Sequence, residues 1–286
     1  MHQFLTPLRY PGGKGRLTQC VADLMAANDL VGGHYLEPFA GGAGVALSLL
    51  ALEYASHVHI NDLNRSVHAF WQSVLREPEE LCSLIRRTRV SMAQRRRQCA
   101  VQTDPDASPL ELGFSTFFLN RVNRSGIILG GVIGGHDQAG DWKLDARYNK
   151  PDLIARIQAI AQMRDRVTLY NLDADKLLRK VLPKLPRKLL CYLDPPYYVK
   201  GKGLYEDHYQ HADHAAIAAT VATIKQPWIV SYDNTPQIRK LYSAFRRRTF
   251  GLHYSAHNRF KGSEIMFFAP DLAIPREVVP SQARAA

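Results

Sequence analysis

Residues 34–51 read HYLEPFAGGAGVALSLLA. A short apolar run closed by Pro38 predicts a strand over 34–39, and GVALSLLALEYA predicts a helix over 44–55. Between them lies EPFAGGAG (37–44), a glycine turn at the carboxyl end of a strand. Glycines at that place let a ligand approach the backbone closely. The dinucleotide pattern G-x-G-x-x-G fails: counted from Gly42 and Gly44, its third glycine falls on Leu47. That argues against NAD. The next strand, HVHIND (57–62), ends in Asp62, 18 residues after Gly44. An acid there takes the ribose hydroxyls of an adenosine-containing cofactor. Together the turn and the acid predict a nucleoside cofactor without a phosphate demand.

The same alternation continues outward. VTLYNLD (167–173), KLLCYLD (188–194) and PWIVSYD (227–233) read as strands, and DLIARIQAIAQM (152–163) and HADHAAIAATVATI (211–224) as helices. The fold class is therefore α/β, a parallel sheet with helices on both faces. The segment 251–270 reads as two strands around a polar, basic loop, an antiparallel edge hairpin. Residues 66–150 break the pattern. They hold two helical stretches, the first interrupted near Pro78, then the glycine-rich GIILGGVIGGHDQAGDW (126–142), an ordered loop by its interleaved apolar residues. The expected organisation is a discontinuous sheet domain (1–65 and 151–275), a mostly helical insertion (66–150) and a flexible tail (276–286).

Lys and Arg number 37 against 26 Asp and Glu, a net charge of +11 and a pI near 9.6. Such a balance favours a polyanionic partner, nucleic acid first. No basic amphipathic helix with a strong apolar face and no run of membrane-spanning length is present, so no membrane partner is expected. The arginine runs RRTR (86–89) and RRR (95–97) fit phosphate contacts or a solvated helix face equally. Cys20, Cys82, Cys99 and Cys191 form no C-x-x-C pair, so neither a metal nor a redox site is expected. The N-terminal MHQFLTPLRYPGG lacks the apolar core of a signal peptide, and the cytoplasm is the expected compartment.

The chemistry is carried by YLDPPYY (192–198), directly behind the apolar LLCYL (189–193). Suppose that the substrate is an exocyclic amine on a base, a poor nucleophile because its lone pair is delocalised. The Asp194 carboxylate and the Pro195 carbonyl can accept its two N–H hydrogens and aim the lone pair at an electrophilic methyl. Pro195 and Pro196 fix φ, so that carbonyl points into the site and not into the ladder. Tyr197 stacks on the base. The carboxylate stabilises the positive charge that develops on nitrogen. RYPGGKGRL (9–17) is no P-loop, since Gly15 follows Lys14, yet its lysine places a cation in a cleft.

PGGK, EPFAGGAG, ND-x-N, FFLNR, N-x-D, DPPY and SYD occur here in that order, and the set resembles the Dam-like, D12-class DNA adenine N6-methyltransferases over about residues 4–270. The resemblance implies a Rossmann-like methyltransferase sheet with an inserted target-recognition domain, S-adenosylmethionine as donor, no metal, and double-stranded DNA with a flipped-out adenine as substrate. Carried over residue by residue, Tyr10 and Lys14 contact the cofactor. The Glu37, Pro38, Phe39, Gly41, Gly42 and Gly44 turn approaches it, Asp62 binds its ribose, and Asp173 lies near its adenine. Asp194, Pro195, Pro196 and Tyr197 form the catalytic site, with Asp194 also beside the cofactor. Asn120, Arg121, Asn123, Arg124, Ser125 and Lys261 are the implied DNA contacts. Arg124 and Ser125 stand where GATC-specific relatives carry an aromatic and Asn, and Leu129 where they carry a guanine-reading arginine, so GATC is not carried over as the target. A cognate restriction endonuclease or another defence-system component is the protein partner such a role admits, beside a phage or solitary regulatory setting. Two other readings stay open: a methyltransferase acting on cytosine N4, RNA or protein glutamine, and a DNA-binding relative without catalysis.

Overall fold

The computed structural model describes residues 5–9, 17–199, 209–252 and 262–275. In chain order its elements are α1 (Thr18–Ala27), β1 (Gly33–Glu37), α2 (Gly44–Ala51), β2 (Ala55–Asn61), α3 (Arg65–Arg76), α4 (Pro78–Arg87), α5 (Met92–Thr103), α6 (Pro109–Val122), α7 (Lys150–Ala161), β3 (Val167–Tyr170), α8 (Ala174–Lys180), β4 (Leu189–Leu193), α9 (His211–Val221), β5 (Trp228–Asp233), α10 (Pro236–Leu241), β6 (Arg246–Leu252) and β7 (Gly262–Phe268). Contacts divide the described chain into two compact units. One is 64–171 with the N-terminal residues 5–9; the other is 17–63 with 172–275.

The strands form one seven-stranded sheet in the order β3-β2-β1-β4-β5-β7-β6. β1 pairs in parallel with β2 and with β4, and β4 with β5. β7 runs antiparallel between β5 and β6. The order reverses between β1 and β4, the switch point where ligands sit at the carboxyl ends of strands in such sheets. Every residue of β4 and β5 is buried, the signature of parallel strands covered on both faces. The expected tail hairpin is β6 and β7, but β6 begins earlier, at Arg246. Arg246, Arg247 and Arg248 stand exposed on this edge strand, where charge discourages pairing with another chain.

The helical unit is built on α6. Ser108 and Glu111 make a capping box with Pro109 in the first turn, and every residue from Leu112 to Val122 is buried. A helix apolar all round belongs in the centre of a bundle. Pro78 does not merely interrupt a helix: it opens α4. The polar α5 buries only Gln98 among its twelve residues. It docks by hydrogen bonds, with the Gln102 amide donating to Ser115 and Ser115 Oγ donating to the Gln98 carbonyl. α7 places Leu153, Ile154, Ile157 and Ile160 inward and packs on α3 and α4. The compact unit thus runs to 171, where the sequence pattern suggests 150. Among the described residues no helix is long and apolar enough to cross a membrane, and no group of His, Cys, Asp and Glu is arranged to hold a metal ion.

Candidate active site

Three strand ends meet at the switch point. β1 ends in Glu37, β4 runs into Asp194 and β5 ends in Asp233, with Glu264 of β7 paired to Asp233. The Glu37 carboxyl is buried and accepts hydrogen bonds from Tyr35 Oη (3.1 Å) and the Ala46 backbone N–H (3.1 Å). Burial drives its pKa up to about 8; those two bonds oppose the shift, and the nearby Asp194 adds to it. No cation bonds it among the described residues. The backbone then turns through Gly41 (φ 47°) and Ala43 (φ 46°) before α2. Asp62 holds this turn: its Oδ2 accepts the Gly41 N–H at 2.8 Å. Asn61, not singled out from sequence, donates to the carbonyls of Pro38 (2.8 Å) and Leu172 (2.9 Å) and accepts the Leu172 N–H. It staples the turn to the segment that carries Asp173, whose carboxylate caps α8 by accepting the Lys176 N–H (3.1 Å). Phe39 meets Tyr209 edge to face at 5.8 Å.

A carboxyl raised in the folded state binds its proton where the unfolded chain has already lost it, so stability falls as pH climbs from about 4.5 to about 8. Glu37→Gln keeps an acceptor for Tyr35 and Ala46 and removes the titration. In the absence of ligands the variant is expected to melt above wild type at pH 8, by about 2–4 °C for each kcal/mol recovered. The two should converge at pH 5, as thermal melts across that range will show.

The DPPYY segment is anchored on both sides. Asp194 is half-buried, and Ser231 Oγ donates to its Oδ1 at 2.5 Å. Asp233 accepts the Tyr198 and Val199 N–H groups, one on each carboxylate oxygen, both at 2.9 Å. Tyr197 is buried and its hydroxyl donates to Glu264. Tyr198 packs on His214 (5.1 Å) and bonds His211 Nδ1 (3.1 Å). Ser231 and Asp233 belong to SYD (231–233), whose place at a strand end was the one signal that could have marked them. Glu264 carried no such signal.

In the helical unit, the implied DNA residues separate into two groups. Asn120 is buried; its amide donates to the Arg9 and Gly126 carbonyls and its Oδ1 accepts the Arg9 N–H. Arg121 is buried and its Nε donates to the Pro7 carbonyl at 2.7 Å. Asn123 has no exposed surface: it donates to the Ile127 and Ile128 carbonyls and accepts from Arg95 Nε. Asn120 and Asn123 hold the loop after α6 together and Arg121 ties the helix to Pro7, because burial obliges each polar atom to find an internal partner. Arg124 and Ser125 are exposed, as is Leu129 at 58%. Tyr10, Lys14 and Lys261 lie outside the described residues.

A doubly wound sheet with an antiparallel strand next to its edge and a strand-end carboxylate at the switch point is the Rossmann-like methyltransferase architecture. The chain belongs to the D12 class N6 adenine-specific DNA methyltransferases, whose family model matches residues 10–259. No curated protein matches the chain. Among solved structures, yhhF of Escherichia coli, described as a methyltransferase, is similar at 10% identity over 88% of this chain and 85% of that one, with a TM-score of 0.32. The fold rests on the strand order and not on that likeness.

Proposed function

We propose that this protein transfers a methyl group from S-adenosylmethionine to the exocyclic N6 of an adenine flipped out of double-stranded DNA. The observation that carries the reading is the DPPY acid at the switch point. Asp194 follows β4, two prolines follow Asp194, and the segment is fixed by Asp233 and Glu264. A carboxylate held in this way accepts an N–H of the target amine and stabilises the positive charge that grows on nitrogen. The Pro195 carbonyl takes the second N–H. Tyr197, its hydroxyl tied to Glu264, has a fixed ring plane to flank the base.

The residues present suit the donor. A buried carboxyl without a cation among the described residues fits a ligand bearing an ammonium group, which the methionyl end of S-adenosylmethionine supplies. Asp62 at the end of β2 suits ribose hydroxyls, and the Gly41–Gly44 turn offers close backbone approach. When bound, the cofactor supplies an electrophilic methyl. Assay with methyl-labelled S-adenosylmethionine and DNA from a methylation-free host should yield N6-methyladenine on nucleoside analysis. N4-methylcytosine, or label confined to RNA or protein, would overturn the proposal.

DNA recognition is assigned to the loop after α6, where Arg124 and Ser125 are exposed polar residues just past the helix end. Arginine makes bidentate contacts with a guanine edge, and losing one costs about 1–3 kcal/mol at one base position. Arg124→Ala is therefore expected to relax the methylated site sequence. Arg96→Ala, on the exposed face of α5, should at most weaken all sequences alike and flatten the salt slope. Methylation maps of both variants at two salt concentrations check this; an unchanged site preference in Arg124→Ala would exclude its reading role.

A further inference from the structure

We propose that Ser231, backed by Tyr192, is a positioning residue that holds the Asp194 carboxylate in one rotamer and keeps it ionised for the substrate amine. This deepens the proposed function and rests on it. Ser231 lies within β5 with no exposed surface. Its Oγ is 2.5 Å from Asp194 Oδ1 and 2.9 Å from Tyr192 Oη. A hydroxyl carries one proton, and a carboxylate only accepts. The Ser231 proton therefore points to Asp194, which leaves Tyr192 as the donor to Ser231. The chain of bonds has one direction, from Tyr192 through Ser231 to Asp194. Burial holds the Tyr192 phenol well above its ordinary pKa, so it stays a donor.

The surroundings explain why such a chain is needed. Among the described residues, Glu37 at the end of β1 and Glu264 on β7 are acids in electrostatic reach of this network, and Asp233 closes β5 two residues beyond Ser231. Neighbouring acids and partial burial both disfavour a charged carboxylate. Two aligned hydroxyl donors favour it. Neighbouring parallel strands set their spacing: Tyr192 pairs with Ile229 and Leu193 with Val230. The pair is thus placed by backbone, not by long flexible side chains.

The test compares Ser231→Ala, Ser231→Thr and Tyr192→Phe with wild type in methyl-transfer kinetics and in carboxyl-carbon NMR titration of Asp194. The Asp194 signal is identified by its loss in Asp194→Asn. Loss of a hydrogen bond to a charged group corresponds to about tenfold or more. In Ser231→Ala, kcat is expected to fall by about that factor with KM for DNA and cofactor little changed, and the Asp194 titration should move up by about one pH unit. Tyr192→Phe should move both in the same direction by less, and Ser231→Thr should restore both. Unshifted Asp194 titration in Ser231→Ala overturns the proposal, as does a loss of rate that threonine does not restore. If Ser231→Ala does not fold, Tyr192→Phe decides alone by the same titration. A wild-type protein that fails to methylate DNA would refute the function proposed above, while the titration would still decide the role of Ser231.

Discussion

Asp194→Ala should abolish methyl transfer, by about a thousandfold or more, and leave the protein folded. The residue sits just past the end of β4, half-buried, so its loss empties little core volume. What disappears is the charge proposed to accept the amine and to offset the cation forming on it. Asp194→Asn should also be severely impaired, since the amide is neutral and turns either an oxygen or an NH2 toward Ser231. Single-turnover assays with labelled S-adenosylmethionine, with melting curves as the folding control, measure both. Wild-type turnover by folded Asp194→Ala would remove the catalytic assignment.

Gly126→Ala should remove DNA binding while cofactor binding persists. Gly126 has φ +77°, where an L side chain costs about 1–2 kcal/mol. A Cβ there would stand 2.0 Å from the Arg9 carbonyl oxygen. That carbonyl is itself bonded to Asn120, so relief of the overlap breaks the lattice of bonds under the loop proposed to read DNA. DNA affinity by fluorescence anisotropy is expected to fall well over tenfold. Calorimetry with S-adenosylmethionine should still report binding, because Glu37, Asp62 and Asp194, proposed to lie at the cofactor, belong to the other unit. Unchanged DNA affinity would show that the loop after α6 does not contact DNA.

The sheet was legible from sequence because its strands are short apolar runs ended by acids and turns. The strands β1 to β5, the edge hairpin and the position of Asp194 follow from that pattern. α5 was not legible, since helical periodicity needs apolar residues and this helix docks through Gln98, Gln102 and Arg95. The segment FFLNRVNRS reads two ways in the sequence. Asn and Arg are the residue types suited to base edges, but they are equally suited to closing a buried loop, and only burial separates Asn120, Arg121 and Asn123 from Arg124. The support of Asp194 was hidden by distance along the chain: Ser231 lies 37 residues away and Glu264 lies 67 from Tyr197.

The association of residues 5–9 with α6 has a consequence for synthesis. Pro7 and Arg9 find their partners in Arg121 and Asn120, 114 and 111 residues later. On the ribosome residues 5–9 must therefore wait for α6 before the helical unit can close. β1 finds β2 early, but its other edge stays open longer still, since its second partner β4 begins only at Leu189. A nascent chain halted between Asn171 and Leu189 would carry all of 64–171 but a sheet missing its central pairing. Such a chain presents one bare strand edge in its middle, and truncations in that interval should aggregate where those ending after Phe268 do not.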